Sequence, residues 1–221
     1  MDESFPKTWG LIASIVFLLT SCTAVQEPTQ PSSGSILLND DFSSPQWGTA
    51  TNADNSVEYA NNALQMIVYA PNSYVWSPPN NDQSYQNVHL EVTVINNGTD
   101  STTAFGLICN RQAAGESFYY FAVTPAGQYA IAKAEQGQSD VFLTNDDQWG
   151  ASDLISTDAL SYRVGADCGN STLTLYVDGQ QIDSVSDASY ASGGVALFTW
   201  SGEDATTTDV SFDDFLMTQL P

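Results

Sequence analysis

From residue 35 onward apolar and polar side chains alternate in short runs with a period of two. The clearest stretch is 162–185, YRVGADCGNSTLTLYVDGQQIDSV, in which Leu173, Leu175 and Val177 fall on one side and Thr174 and Tyr176 on the other. Successive side chains of a strand point to opposite faces, so this is a strand with one face in a core. Two such runs, 171–177 and 180–185, meet at Asp178-Gly179. That pair tolerates positive φ at both central turn positions and predicts a two-residue hairpin whose twist matches its strands. Residues 88–96, VHLEVTVIN, repeat the pattern, with Val88, Leu90, Val92 and Val94 opposed to His89, Glu91 and Thr93.

Further strands are predicted over 35–42, 57–61, 63–69, 74–77, 103–110, 118–124, 128–133, 141–143, 160–168, 195–200 and 208–218, with a polar stretch around Trp149 left between them. Pro78-Pro79 and Pro125-Ala126-Gly127 punctuate the series. No segment carries the 3.6-residue apolar period of an amphipathic helix. Short strands at regular spacing between Gly, Pro, Asn and Asp turns predict an all-β, two-sheet antiparallel sandwich or jelly roll.

The first thirty-odd residues differ. Residues 9–19, WGLIASIVFLL, form an apolar run of 11 residues, too short to span a bilayer and of the length of a signal-peptide core. Leu19-Thr20-Ser21-Cys22 follows and resembles the bacterial lipobox, which makes Cys22 the lipidated residue. Asp2 and Glu3 beside Lys7 depart from the positive front end usual for such leaders. Residues 23–34, TAVQEPTQPSSG, have no apolar period and read as a tether. The expected organisation is a lipoprotein signal peptide over 1–21, a lipidated Cys and flexible linker over 22–35, and one domain over 36–221. The expected address is an exported bacterial lipoprotein at the cell surface or in the periplasm, meeting the membrane through the Cys22 lipid alone.

Composition narrows the partners. Hydrophobic residues make up 42% of the chain and charged ones 14%, enough for a core with an uncharged polar surface. The net charge of -22, from 26 acids and four bases, excludes a nucleic-acid partner, which requires Lys and Arg to displace counterions. Cys109 and Cys168 remain beside Cys22, each near a strand end in an exported chain. A disulfide is the expectation and a pair of reduced buried thiols the alternative. Two cysteines and the one histidine, His89, do not make a zinc site.

Several segments carry a resemblance to a known class. They are DDFS at 40–43 with Trp47 soon after, SFYYFAVTPAGQYAIAK at 117–133, CGNSTLTLYVDGQQI at 168–182, GGVAL at 193–197 and VSFDDFLM at 210–217. Together they resemble the concanavalin A-like, laminin-G-like jelly rolls of bacterial surface proteins, whose relatives include the 3-keto-disaccharide hydrolase domains. The resemblance implies two antiparallel sheets of about six or seven strands each, one concave and one convex. It also implies a structural Ca2+ between the first and last strands, at Asp41 with Asp40 and at Asp213 with Asp214. The alternative is that these aspartates face solvent or cap turns.

Glycosidases of this fold are expected to carry an ExDxE or ExDxxE motif, with its carboxylates about 5 Å apart for retaining chemistry. Here Glu91 is followed by Thr93 and Ile95, and no Gly-x-Ser-x-Gly accompanies the single His89. No catalytic residue is assigned. A concave sheet bearing aromatics is instead a carbohydrate surface, and Tyr120, Tyr129, Trp149, Trp200 and Arg111 are the candidate ligand-binding residues. The expected function is a non-catalytic cell-surface domain that binds carbohydrate or another extracellular ligand. A glycoside-processing hydrolase akin to the 3-keto-disaccharide hydrolases is one alternative, and a purely structural or adhesive surface domain is the other.

Overall fold

The computed structural model describes residues 34–81, 83–203 and 207–221, and among them every regular element is a β-strand. The signal peptide, Cys22 and nearly all of the linker lie outside the described residues.

One sheet holds nine strands: β1 (Ile36–Asp40), β2 (Ala50–Thr51), β3 (Asn55–Ala60), β4 (Ala63–Val68), β6 (Val88–Asn96), β12 (Ser161–Gly169), β13 (Thr172–Val177), β14 (Gln180–Ser186) and β16 (Thr208–Gln219). Its order is β14-β13-β12-β6-β16-β4-β3-β2, with β1 also paired to β16. The other holds seven: β5 (Tyr74–Ser77), β7 (Ala104–Arg111), β8 (Phe118–Val123), β9 (Gln128–Ala134), β10 (Val141–Phe142), β11 (Gly150–Ala151) and β15 (Gly194–Trp200). Its order is β10-β9-β8-β7-β15-β5, with β11 on β9. All pairings are antiparallel.

Turn chemistry sets much of this register. Asp178 and Gly179 both adopt positive φ and join Val177 to Gln180. Asn170-Ser171 and Asn61-Asn62 make the same kind of connection between β12 and β13 and between β3 and β4. Asn and Asp populate the left-handed region because their short polar side chains bond locally. Ser171 and Asn61, expected inside strands, are therefore turn residues.

The nine-stranded sheet exceeds the expected six or seven strands: eight lie along its path, and β1 is added because one edge of β16 serves two partners. Thr208–Phe212 pair with β4, and Phe215–Thr218 pair with β1. Between them Asp213 and Asp214 form a bulge against β6, with Asp214 at φ 49. An extra residue on one strand leaves a carbonyl without its ladder partner. Arg163 supplies one, donating to the Asp214 carbonyl and to Thr93 Oγ1, while its other nitrogen meets Glu91 at 3.2 Å.

Leu64, Met66, Leu90, Val92, Leu107, Phe121, Leu175 and Phe212 are among the side chains that fill the space between the sheets. The Cys109–Cys168 disulfide crosses that layer from β7 to β12. At one end Trp47 packs edge-on against Phe215, centroids 4.9 Å apart, and donates its Nε1 proton to Asp40 at 3.0 Å.

Candidate functional site

Burial explains one face of the seven-stranded sheet; the other face is apolar as well. β8 sends Tyr119, Phe121 and Val123 into the main core and Phe118, Tyr120 and Ala122 outward. Ala104 and Ile108 of β7 and Ala196, Phe198 and Trp200 of β15 share the outward side, as do Ala130 and Ala134 of β9. Aromatics on β8 and β15, with smaller side chains on the neighbouring β9 and β7, leave a groove of about 810 Å3. Gly106 lies on β7 between Ala104 and Ile108, where a Cβ would fall 1.9 Å from the Phe121 carbonyl oxygen, so no larger residue fits without moving backbone.

The walls come from loops. Residues 135–140 close one side, with Trp149, Asn72, Tyr74 and Glu203 around the remainder. Trp149 follows a turn in which Asn145, Asp146 and Asp147 all take positive φ. The turn is fastened by Asn145 Nδ2 to the Trp149 carbonyl at 2.8 Å and by the Phe142 amide to Asp147 at 2.7 Å. Trp149 meets Phe142 edge-on at 5.4 Å and stacks on Trp200 at 6.2 Å, with planes 21° from parallel. Trp200 in turn donates its indole proton to Asn72. Tyr120 touches Phe118 and Phe198 edge-on. The result is a hydrophobic groove whose polar groups sit at its rim.

Those rim groups are acidic: Glu116, Glu135, Asp140 and Glu203. Burial, and secondarily the negative charge of Asp140, pushes the Tyr120 phenol far above its ordinary range. Burial also raises Asp140, against the lowering effect of the hydrogen bond from Tyr120. Tyr74 is raised by burial first and then by Glu116 and Asp140.

Tyr120, Trp149 and Trp200 thus stand together on one groove. Tyr129 does not. It points to the inter-sheet side, packs on the main core and donates to Asp183 of β14 at 2.9 Å. Gly150 opposite it makes room, since a Cβ there would lie 2.5 Å from the Tyr129 ring. Arg111 is likewise outside the groove lining. Its guanidinium lies 5.2 Å over the Trp76 ring and against Gly194.

The aspartates expected to hold Ca2+ make local contacts at the meeting of β1 and β16. Asp40 is buried, with one oxygen bonded by the Phe42 amide and the other by Trp47. Asp41 turns to Ser43, and Asp213 accepts from the Asp214 amide. Among the described residues no three His, Cys, Asp or Glu side chains converge as metal ligands. His89 faces outward on the nine-stranded sheet, between Asp167 and Glu91.

Sequence reasoning omitted Tyr74, Phe118, Phe142, Phe198 and the rim acids. Phe118 and Phe198 share strand phase with Tyr120 and Trp200, two positions away, so the alternation that placed the second pair also carries the first.

Fold and groove together define the chain as a concanavalin A-like jelly-roll domain with an aromatic groove on its seven-stranded sheet. Solved structures agree on the fold. The chain is similar to the carbohydrate-binding module CBM66 from Bacillus subtilis, with 12% identity, 79% of this chain and 96% of that one covered, and a TM-score of 0.61. It is similar to a protein of unknown function with a galectin-like fold from Bacillus subtilis, at 11% identity, 85% and 97% coverage and TM-score 0.61. It is similar also to the Bacillus licheniformis β-glucanase, at 12% identity, 87% and 100% coverage and TM-score 0.55. No family model and no curated protein matches the chain.

Proposed function

We propose that this is a non-catalytic binding domain that takes carbohydrate in the groove of its seven-stranded sheet, held at the bacterial exterior by a lipid on Cys22. The observation that carries the reading is the Trp149–Trp200 stack, flanked by Phe142 and facing the space beside Tyr120. Sugar rings present apolar C–H faces that lie on indoles, and Asn72 and Gln138 at the rim are suited to hydroxyl groups. The positions of the central strands that face the groove hold aromatic and small residues, which suits binding better than bond cleavage. The tether rests on the apolar run before Cys22. The test is a glycan array probed with the full chain in mild detergent. Retention of a polysaccharide family, lost on Trp149→Ala, supports the reading; retention of none overturns it.

One observation favours glycoside processing as a second reading. Asp140, which lines the groove with Tyr120, is a carboxyl raised by burial, and a general acid needs such a group. Turnover of an oligosaccharide by the pure chain, abolished by Asp140→Asn, would establish it.

A further inference from the structure

The aromatic groove and its rim carry opposite instructions for a plain neutral sugar. The indoles ask only for an apolar ring face, yet Glu116, Glu135, Asp140 and Glu203 surround that face with carboxylates. The three basic residues among the described ones are committed elsewhere. Lys133 leaves β9 on the inter-sheet side and meets Asp187 at 3.5 Å. Arg163 lies on the far sheet with Glu91. Arg111 is stacked over Trp76, outside the groove lining. Lys7 lies outside the described residues.

Two independent effects therefore favour positive charge in the same place. Carboxylates around a low-dielectric cleft focus a negative potential into it. The faces of Trp149, Trp200 and Tyr74 attract cations through their ring quadrupoles, most strongly where water is displaced. After burial, the charges of Glu116 and Asp140 raise the Tyr74 phenol, and those of Asp140 and Asp147 raise the Tyr120 phenol. An anionic glycan meets repulsion from both sources.

Resting on the carbohydrate reading, we infer that the groove selects a cationic glycan, one whose sugar units carry free protonated amines, over neutral or acidic polymers. The ring face lies on the Trp149–Trp200 platform and the ammonium groups reach the rim carboxylates. A Lys-rich peptide offers the charge without the ring face and leaves the stacked indoles without a matching surface.

The experiment is isothermal titration of the full chain in mild detergent at about pH 5.5, above the ordinary carboxylate range and low enough to protonate sugar amines. The probes are a glucosamine hexamer, its fully N-acetylated counterpart, a cello-hexamer, a uronate hexamer and hexalysine. The expected result is glucosamine-hexamer binding roughly tenfold or more tighter than the neutral hexamers at ~50 mM salt, with the gap closing at ~0.5 M. The Glu116→Gln/Asp140→Asn variant is expected to lose the preference, its glucosamine-hexamer affinity falling to that of the neutral hexamers measured on the same variant, with an unchanged circular dichroism spectrum. Equal binding of all the sugars, or preference for the uronate, overturns the selectivity and leaves carbohydrate binding in place. Hexalysine binding as tightly as the glucosamine hexamer overturns it in favour of a peptide ligand. No binding by any sugar overturns both.

Discussion

His89 Nδ1 lies 2.6 Å from Asp167 Oδ1, across the pairing of β6 with β12. Tyr176 of β13 donates to the other Asp167 oxygen at 2.9 Å and meets the imidazole edge-on. Glu91, itself bound by Arg163, stands 3.5 Å from Nε2, and Thr218 of β16 faces His89 from the other side. The bond to Asp167 raises the His89 pKa above 6.5, burial opposes this, and the nearby Asp167 and Glu91 charges add to the rise. A group whose folded pKa is raised stabilises fully below its unfolded value and ceases to do so as pH climbs through the folded one. Thermal melts between about pH 5 and 9 should therefore show a loss of stability above 6.5 that His89→Gln removes. Identical slopes for the two proteins would contradict this.

Asp187 behaves in the opposite sense. Burial works to raise it, but the hydroxyl of Ser189, the phenol of Tyr119, the Ser189 amide and Lys133 together hold it down at about 2. Its contribution is present above the unfolded value of 3.8 and is lost as pH falls toward 2. Asp187 also ties the loop after β14 to β8 and β9, through Tyr119 and Lys133. Acid titration followed by circular dichroism should find Asp187→Asn less stable at neutral pH and nearly equal to the parent near pH 2.

Cys109 and Cys168 close a loop with a sequence separation of 59 residues. In the chain-entropy model such a link stabilises by about 4 kcal/mol. Guanidinium unfolding of the double Cys→Ala variant, or of the reduced protein, should show a loss of that order with the β spectrum retained. An unchanged midpoint would remove the cross-sheet link from the account of stability.

The alternation of β6 and β13 was legible because each has one apolar and one polar face. The strands under the groove were harder to read. FYYFAV of β8 and QYAIAKA of β9 are apolar on both faces, since the outward face holds aromatics and alanines of its own. Periodicity then gives a two-residue repeat but not which phase looks inward, and Tyr129 falls in the inward one while Tyr120 falls in the outward one. Asp140 and Glu116 come from loops, where no period exists to place them. The role of Asp40 depends on Trp47, seven positions away, folding back over it, and a DDFS string does not reveal that contact.

Gly150 offers a check on how the groove wall is held. Adding a methyl there places carbon 2.5 Å from the Tyr129 ring, which must leave Asp183 and the main core to accommodate it. Overpacking of this kind costs roughly 1–3 kcal/mol. Because Trp149 is the adjacent residue, Gly150→Ala should lower the melting temperature and also weaken sugar binding. Near-UV circular dichroism would register the disturbed Trp149–Trp200 pair. A variant with parental stability and an unchanged aromatic spectrum would mean that Tyr129 moves freely and does not support the wall.

Three tryptophans on one face of the seven-stranded sheet separate a binding surface from an aromatic surface that is only structural. Trp149 and Trp200 line the groove, whereas Trp76 lies under Arg111, outside it. If the stack is the sugar platform, Trp149→Ala and Trp200→Ala should each weaken glycan binding roughly tenfold or more, which is ~1.4 kcal/mol. Because the two rings act as one surface, their effects should be less than additive in a double-mutant cycle. Trp76→Ala removes the ring beneath the Arg111 guanidinium and should cost about 1–2 kcal/mol of stability while leaving affinity at the parental level. Titration calorimetry paired with thermal melts on the same samples distinguishes the two effects. Equal loss of affinity in all three variants would assign the effect to general destabilisation of the sheet, and the groove would no longer be distinguished from the rest of that face.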